Sequence, residues 1–362
     1  MRQISAVLPY SLILAAMLEP ASAKENSMAG VWRGKLGDAE ITACRHENED
    51  VWAYYHDRQP KLILLEGNKD DFVQQETGER WRKLKQAGQQ LQGETLDANG
   101  KIRPLRLHRV AAKPDEPQGC DSNAFHDRLE AAASLSMENL RQYAGHPYRR
   151  ITLRLAPSFS DQRIELMGPE AGLAAINRQL LAGQKNASSP YLSESMSNCW
   201  RRVNGSYFSG GYFEGEMELI FWRNDYLAVR QTESGHCAGP GPHESSSSRV
   251  WNSRSGEQSN PWHWFKGLEQ QRDFNADRLP PALRIYLQKN LATLNQNPEC
   301  LPTLRNNSSY GIVLREQGVL ISTNLPAGAD AGCNTEATFK LRQLVPFLNQ
   351  QGLQILQQLY GK

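Results

Sequence analysis

The sequence predicts an α+β fold, with an N-terminal antiparallel β meander or barrel-like domain followed by an α+β domain of antiparallel sheet and packed helices. Three observations carry this. Residues 30–110 fall into short strand-like runs divided by Gly and Asn turns, at roughly the 8–12 residue spacing of an all-β meander. Residues 210–265 alternate apolar and polar residues on both sides of Arg223-Asn224-Asp225, the pattern of a hairpin with one buried face. Further on, Leu283, Tyr286, Leu287 and Leu291 recur at helical intervals, and the segment from Leu344 to Leu359 does the same.

Residues 1–23 read as a secretory signal peptide: Arg2 supplies the charge, Ala6 to Leu18 is mostly apolar, and Ala21-Ser22-Ala23 offers small residues for cleavage. The apolar run is too short for a bilayer core that needs about 20 residues, so no membrane span is expected after leader cleavage. Residues 29–110 form the β-rich domain, with alternation clear at Val51, Ala53 and Tyr55 and again at Leu105 and Leu107. Trp32, Trp52, Trp81, Tyr54 and Tyr55 read as its core, a sugar-stacking face being the other use of such a set.

Residues 111–147 are a linker rich in Pro and Gly and then a helix from Asn123 to about Tyr143, capped by Asp121 or Ser122. Residues 148–362 make the α+β domain. It opens with a strand at Arg149–Leu155 and a helix at Glu170–Leu181, and Gly183–Ser189 is a polar break. The central hairpin follows, with Met217, Leu219 and Phe221 on one face and Glu216, Glu218 and Ile220 on the other, and a third strand near Arg249–Ser253. A helix from Pro280, a hairpin around Glu316-Gln317-Gly318, a strand at Glu336–Leu341 and the closing helix complete it.

Six cysteines, Cys44, Cys120, Cys199, Cys237, Cys300 and Cys333, in an exported chain imply disulfides; 15 pairings exist. Sequential pairing is favoured because each bridge then closes within one structural unit. Lys and Arg against Asp and Glu number 18 to 20 in residues 24–148 and 22 to 18 in residues 149–362, giving −2 and +4. Neither half carries the dense basic stripe that nucleic acid requires.

Two kinds of binding residue stand out. His236, His243 and His263 form a histidine set joined by Glu244, and Trp262 to Phe265 is the densest aromatic run. A zinc site needs about three ligands at fixed geometry, and His236 and His243 in a Gly/Pro loop do not provide it, so no metal and no cofactor are expected. Glu214, Glu216 and Glu218 share one face of an alternating strand, which reads as a solvent face. No Gly-x-Ser-x-Gly, His-Glu-x-x-His or phosphate-cradling glycine loop occurs. The Ser245–Ser248 run reads as solvated linker.

Four segments resemble the extracytoplasmic domain of lysozyme-sensing anti-sigma factors and the accessory module of some peptidoglycan deacetylases. These are ITLRLAP with Ile176-Asn177, the loop from Gly235 to His243, the segment RVWNSRSGEQSNPWHWF, and Leu325 through Leu348. The resemblance covers about residues 148–350 and implies an envelope location and a binding role. The anti-sigma activity would need a cytosolic segment and a membrane span, and the deacetylase a metal-binding Asp-Asp motif. Asp70-Asp71 sits instead in a charged turn. The expected function is thus that of an exported, non-catalytic periplasmic or secreted bacterial protein. Its partner is expected to be peptidoglycan or another anionic envelope polymer, or an envelope protein. Lysozyme fits less well, because residues 149–362 carry like charge. The alternative is a metal-dependent or carboxylate-based hydrolase of wall material, resting on the histidines and glutamates.

Overall fold

The computed structural model describes residues 27–361 apart from 48, 69, 112–118, 183–191, 206–209, 270–278, 296, 308 and 326–330. The expected leader, the Gly183–Ser189 break and most of the expected linker lie outside the described residues. The described part is α+β, with three sheets.

The N-terminal sheet closes on itself as an eight-stranded barrel. Its strands are β1 (Gly30–Leu36), β2 (Ala39–Arg45), β3 (Val51–His56), β4 (Gln59–Asn68), β5 (Asp71–Val73), β6 (Arg80–Ala87), β7 (Gln90–Leu96) and β8 (Ile102–Arg109). All neighbours are antiparallel, and β1 pairs β8 from Trp32↔Arg109 to Leu36↔Leu105 to complete the circle. Closure removes every free strand edge. Gly34 makes this seam possible, since a Cβ there would stand 2.1 Å from the Arg106 carbonyl oxygen. Trp32, Trp52, Tyr54, Phe72 and Trp81 fill the interior and are fully buried. They are core residues, and Trp52 meets Trp81 with ring centroids 5.7 Å apart.

A short helix, α1 (Asn123–Ala131), joins the barrel to the rest. The Tyr55 hydroxyl donates to the Phe125 carbonyl at 2.7 Å and the Arg33 guanidinium to the Ala124 carbonyl at 2.6 Å. The helix is shorter than the sequence suggested. It ends at Ala131, and Ser134–Met137 and Arg141–Tyr143 are strands β9 and β10. The physical reason is visible in Ser134-Leu135-Ser136-Met137, which alternates with period two rather than 3.6.

The second sheet places β9 and β10 along one side of β11 (His146–Ala156), followed by β12 (Phe159–Leu166), β13 (Tyr212–Arg223), β14 (Tyr226–His236), β15 (His243–Asn252) and β16 (Gln258–Ser259). Every pair is antiparallel except β12 with β13. A parallel pair needs a crossover. It is supplied here by α2 (Leu173–Leu180) and α3 (Glu194–Gly205), the second of which the sequence reading missed. The central hairpin turns at Asn224, whose φ of 50° is left-handed. A register shift between Leu219 and Phe221 puts Leu219, Ile220, Phe221 and Trp222 all out of solvent. Simple alternation had placed Ile220 with the glutamates; the bulge overrides it. β15 is also longer than expected: Ser245–Ser248 is strand, held by pairing with Glu233 through Arg230.

The C-terminal part adds α4 (Pro281–Leu294), α5 (Leu301–Asn306), a three-stranded sheet of β17 (Tyr310–Arg315), β18 (Gly318–Thr323) and β19 (Glu336–Phe339), then α6 (Leu341–Leu344) and α7 (Gln350–Tyr360). One core joins this sheet, α4 and α7 to Phe221, Ala228 and Val250 of the central hairpin. The cysteines pair as Cys44–Cys120, Cys199–Cys237 and Cys300–Cys333, with Cα separations of 5.2, 4.7 and 5.2 Å. Three such bridges are consistent with an extracytoplasmic protein. Among the described residues no helix is long and apolar enough to cross a membrane.

Candidate functional site

At the turn end of the central hairpin lies a polar pocket of about 270 Å³, to which Tyr226, Asn252, Glu257, Asn260, His263 and Glu269 contribute. Each wall is built by local chemistry. Tyr226 and Asn252 are register partners across β14 and β15. The Asn252 side chain then accepts from the backbone N–H groups of Arg254 at 3.0 Å and Ser255 at 3.1 Å, tightening the turn into β16. Asn260 does the same for the 3-10 turn Pro261–Trp264, accepting from Trp262 N–H at 3.1 Å, while Pro261 supplies a preset φ at the first position. α7 contributes Gln351, and its N-cap Asn349 donates to the His263 carbonyl at 2.7 Å and accepts from Gly352 N–H at 2.8 Å.

Gly352 is required there, because a Cβ would lie 2.2 Å from the Trp264 carbonyl oxygen. Gly352→Ala is expected to cost about 1–3 kcal/mol in urea unfolding despite alanine's better helix propensity, since backbone must move. A stabilised variant would show that α7 does not seat against this turn.

The pocket is acidic and hydrogen-bonding. Glu257 and Glu269 contribute carboxylates, and among the described residues neither Lys nor Arg lines it. The carboxyl of Glu269 is held below the usual range mainly by its own backbone N–H, with Gly267 N–H and the Asn349 amide adding to this against slight burial. Burial pushes the Tyr226 phenol up, so its hydroxyl stays a donor at neutral pH; Asn252 opposes this shift and Asp225 adds to it.

The residues singled out from sequence divide. His263 is half-buried in the pocket wall beside Asn260, whose amide approaches the ring at 3.5 Å. Trp264 lines the pocket but is only 2% exposed, and Trp262 is 4% exposed. These two are core residues, Trp264 meeting Tyr226 edge-on and Trp262 packing against Phe265, so neither is an exposed stacking platform. His236 and His243 belong to the other end of the hairpin, beside the Cys199–Cys237 bridge. Nine residue steps separate His243 from Asn252 along β15, about 30 Å of strand. They also face apart: His243 pairs with Gly235, one residue from His236, and successive residues point to opposite sides. The three histidines are therefore not one cluster, and among the described residues no group of three His, Cys, Asp or Glu is placed to hold a metal.

Glu214, Glu216 and Glu218 are exposed on one face, where Arg150 approaches Glu216 at 3.7 Å and Arg230 approaches Glu218 at 3.4 Å. The sequence reading did not find Tyr226, Asn252, Glu257, Asn260 or Glu269. The only available signal was the concentration of turn-forming Asn, Ser and Gly around 252–260, which marks tight backbone rather than a site.

No family model matches the sequence, and no curated protein matches it. Solved structures that resemble the chain include two from the DUF3298 family. A member of the DUF3298 family from Bacteroides fragilis shares 12% identity over 64% of this chain and 99% of its own, with a TM-score of 0.42. A DUF3298 family protein from Pseudomonas aeruginosa shares 10% identity over 61% of this chain and 93% of its own, with a TM-score of 0.36.

Proposed function

We propose that this is an exported, non-catalytic envelope protein that binds the glycan of peptidoglycan in the pocket at the turn end of the central hairpin. The observation that carries this reading is the pocket's lining: carboxamides, two carboxylates, a phenol and an imidazole, with no cation among the described residues. Amino-sugar chains present hydroxyl and amide groups, which such donors and acceptors satisfy. The same lining repels phosphate- or carboxylate-rich polymers, so within the envelope a hydroxylated ligand fits this pocket better than an anionic one.

Cosedimentation of the mature protein with purified peptidoglycan sacculi tests the proposal. Binding is expected to change less than twofold between about 50 and 500 mM salt, because hydrogen bonding in a recessed pocket is screened little. The Glu257→Ala/Glu269→Ala double variant is expected to lose at least tenfold. Binding that collapses with salt and ignores the double variant would move the site to the basic surface. Full recovery in the supernatant would overturn the function.

A further inference from the structure

One edge of the second sheet, along β9, is left open among the described strands. β9 pairs with β11 on its inner side, from Ile151↔Met137 to Arg154↔Ser134, and no described strand covers its outer side. All four of its residues are exposed. Leu135 and Met137 stand 41% and 50% exposed, although they share the face of Leu153 and Ile151, which are buried. Edge strands of stable monomers are usually blunted by charge, proline or a bulge. Ser134-Leu135-Ser136-Met137 contains no charge and no proline, and its ladder with β11 runs without a shift. The opposite edge is different: β15 beyond its short pairing with β16 carries His243, Glu244 and the serine run, with no apolar side chain.

The hydrogen-bond phase of β9 defines what fits. Glu138 N–H donates inward to the Arg150 carbonyl at 2.9 Å. Donors alternate along an antiparallel strand, so the backbone groups of Ser134 and Ser136 also face β11, and those of Leu135 and Met137 face out.

We propose that the occupant of this edge is a second copy of the same chain, joined through antiparallel β9–β9 pairing about a two-fold axis at Ser136. In that register Leu135 of each copy exchanges two backbone hydrogen bonds with Met137 of the other, giving four in all. The two Ser136 residues form the close, non-hydrogen-bonded pair on the axis. The arrangement is self-complementary, as a two-fold interface requires. The apolar side chains of Leu135 and Met137 meet their counterparts on one face.

Charge is matched on the other face. Ser134 lies opposite Glu138 of the second copy and already lies beside Arg154 of its own. Arg154 and that glutamate are then two strand spacings apart, about 10 Å, with only a serine between them, and both side chains are long enough to meet. Arg154 is exposed and makes no ion pair among the described residues. Glu138 also pairs with Arg141 of its own chain at 2.6 Å.

Sedimentation velocity of the mature protein between about 1 and 100 µM is the first test, with a concentration-dependent dimer expected. Leu135→Pro removes only outward donors and is expected to weaken dimerisation at least tenfold while far-UV circular dichroism stays unchanged. Should that variant fail to fold, Glu138→Arg and Arg154→Glu give the same answer: each alone weakens the dimer, and together they restore it. Ser136→Cys is expected to cross-link two chains covalently under mild oxidation, whereas Ser134→Cys is not. A wild-type protein that stays monomeric at 100 µM overturns the proposal. So does a dimer that tolerates Leu135→Pro and does not cross-link through Ser136→Cys, since its interface lies elsewhere. Glycan binding by the pocket is independent of these outcomes.

Discussion

Glu130→Ala is expected to destabilise the protein by about 3–5 kcal/mol, read as a fall in the urea midpoint. Glu130 is fully buried on α1, and its carboxylate takes two hydrogen bonds from Arg201 of α3 at 2.7 and 3.0 Å and one from the Ser197 hydroxyl at 2.9 Å. Arg201 also reaches Asn123 at the start of α1. Removing one partner leaves a largely buried guanidinium without its counter-charge, which is why such losses are large even where the intact pair contributes little net stability. Arg201→Ala should cost a similar amount, and the double variant less than the sum of the two. Shifts below 1 kcal/mol for both single variants would mean that water reaches the pair and that α1 does not hold the barrel to the second sheet through it.

Mild acid is expected to act on the same joint. His126, one turn before Glu130, is fully buried, and its pKa is pushed down to about 3. Burial is the main cause. The Arg201 guanidinium adds to it, His46 contributes in the same direction, and the backbone of Cys120 gives the charged form only partial support. The folded protein therefore binds the imidazole proton less readily than the unfolded chain, whose histidine titrates near 6.5. Stability from this group is complete above that value and is lost as pH falls from 6.5 toward 3. At 1.36 kcal/mol per pH unit, about 3 kcal/mol is gone by pH 4.5. His126→Phe should flatten that part of the profile when unfolding free energies are compared at pH 7 and 4.5. An identical loss in the variant would assign acid sensitivity to other groups.

What the sequence disclosed follows from how local each signal is. The barrel strands and the central hairpin announce themselves because alternation, Gly turns and β-branched or aromatic residues agree over short windows. The fully buried Trp52 and Trp81 read as core for the same reason. Legibility stops where tertiary contact decides. α3 has a polar sequence, Ser-Met-Ser-Asn-Cys-Trp-Arg-Arg, yet folds as a helix because Met196, Cys199 and Val203 bury against Phe213 and Arg201 finds Glu130. The extra residue at Leu219/Phe221 is invisible to a period-two count. The pocket was hidden for a different reason. Its walls come from β14, the β15–β16 turn, the 3-10 turn and α7, and no window contains residues so far apart as Tyr226 and Gln351.

The bridges have a temporal meaning as well as a geometric one. Cys44 meets Cys120, Cys199 meets Cys237 and Cys300 meets Cys333, so no loop encloses or crosses another. In a chain delivered amino terminus first into an oxidising space, each cysteine's proper mate is the next to arrive. An oxidant with no editing ability, joining thiols in order of appearance, produces the native set. For an exported chain, as proposed above, the first closure would come once residue 120 has emerged, just after the whole barrel, and that unit would be locked before α3 arrives to dock on α1.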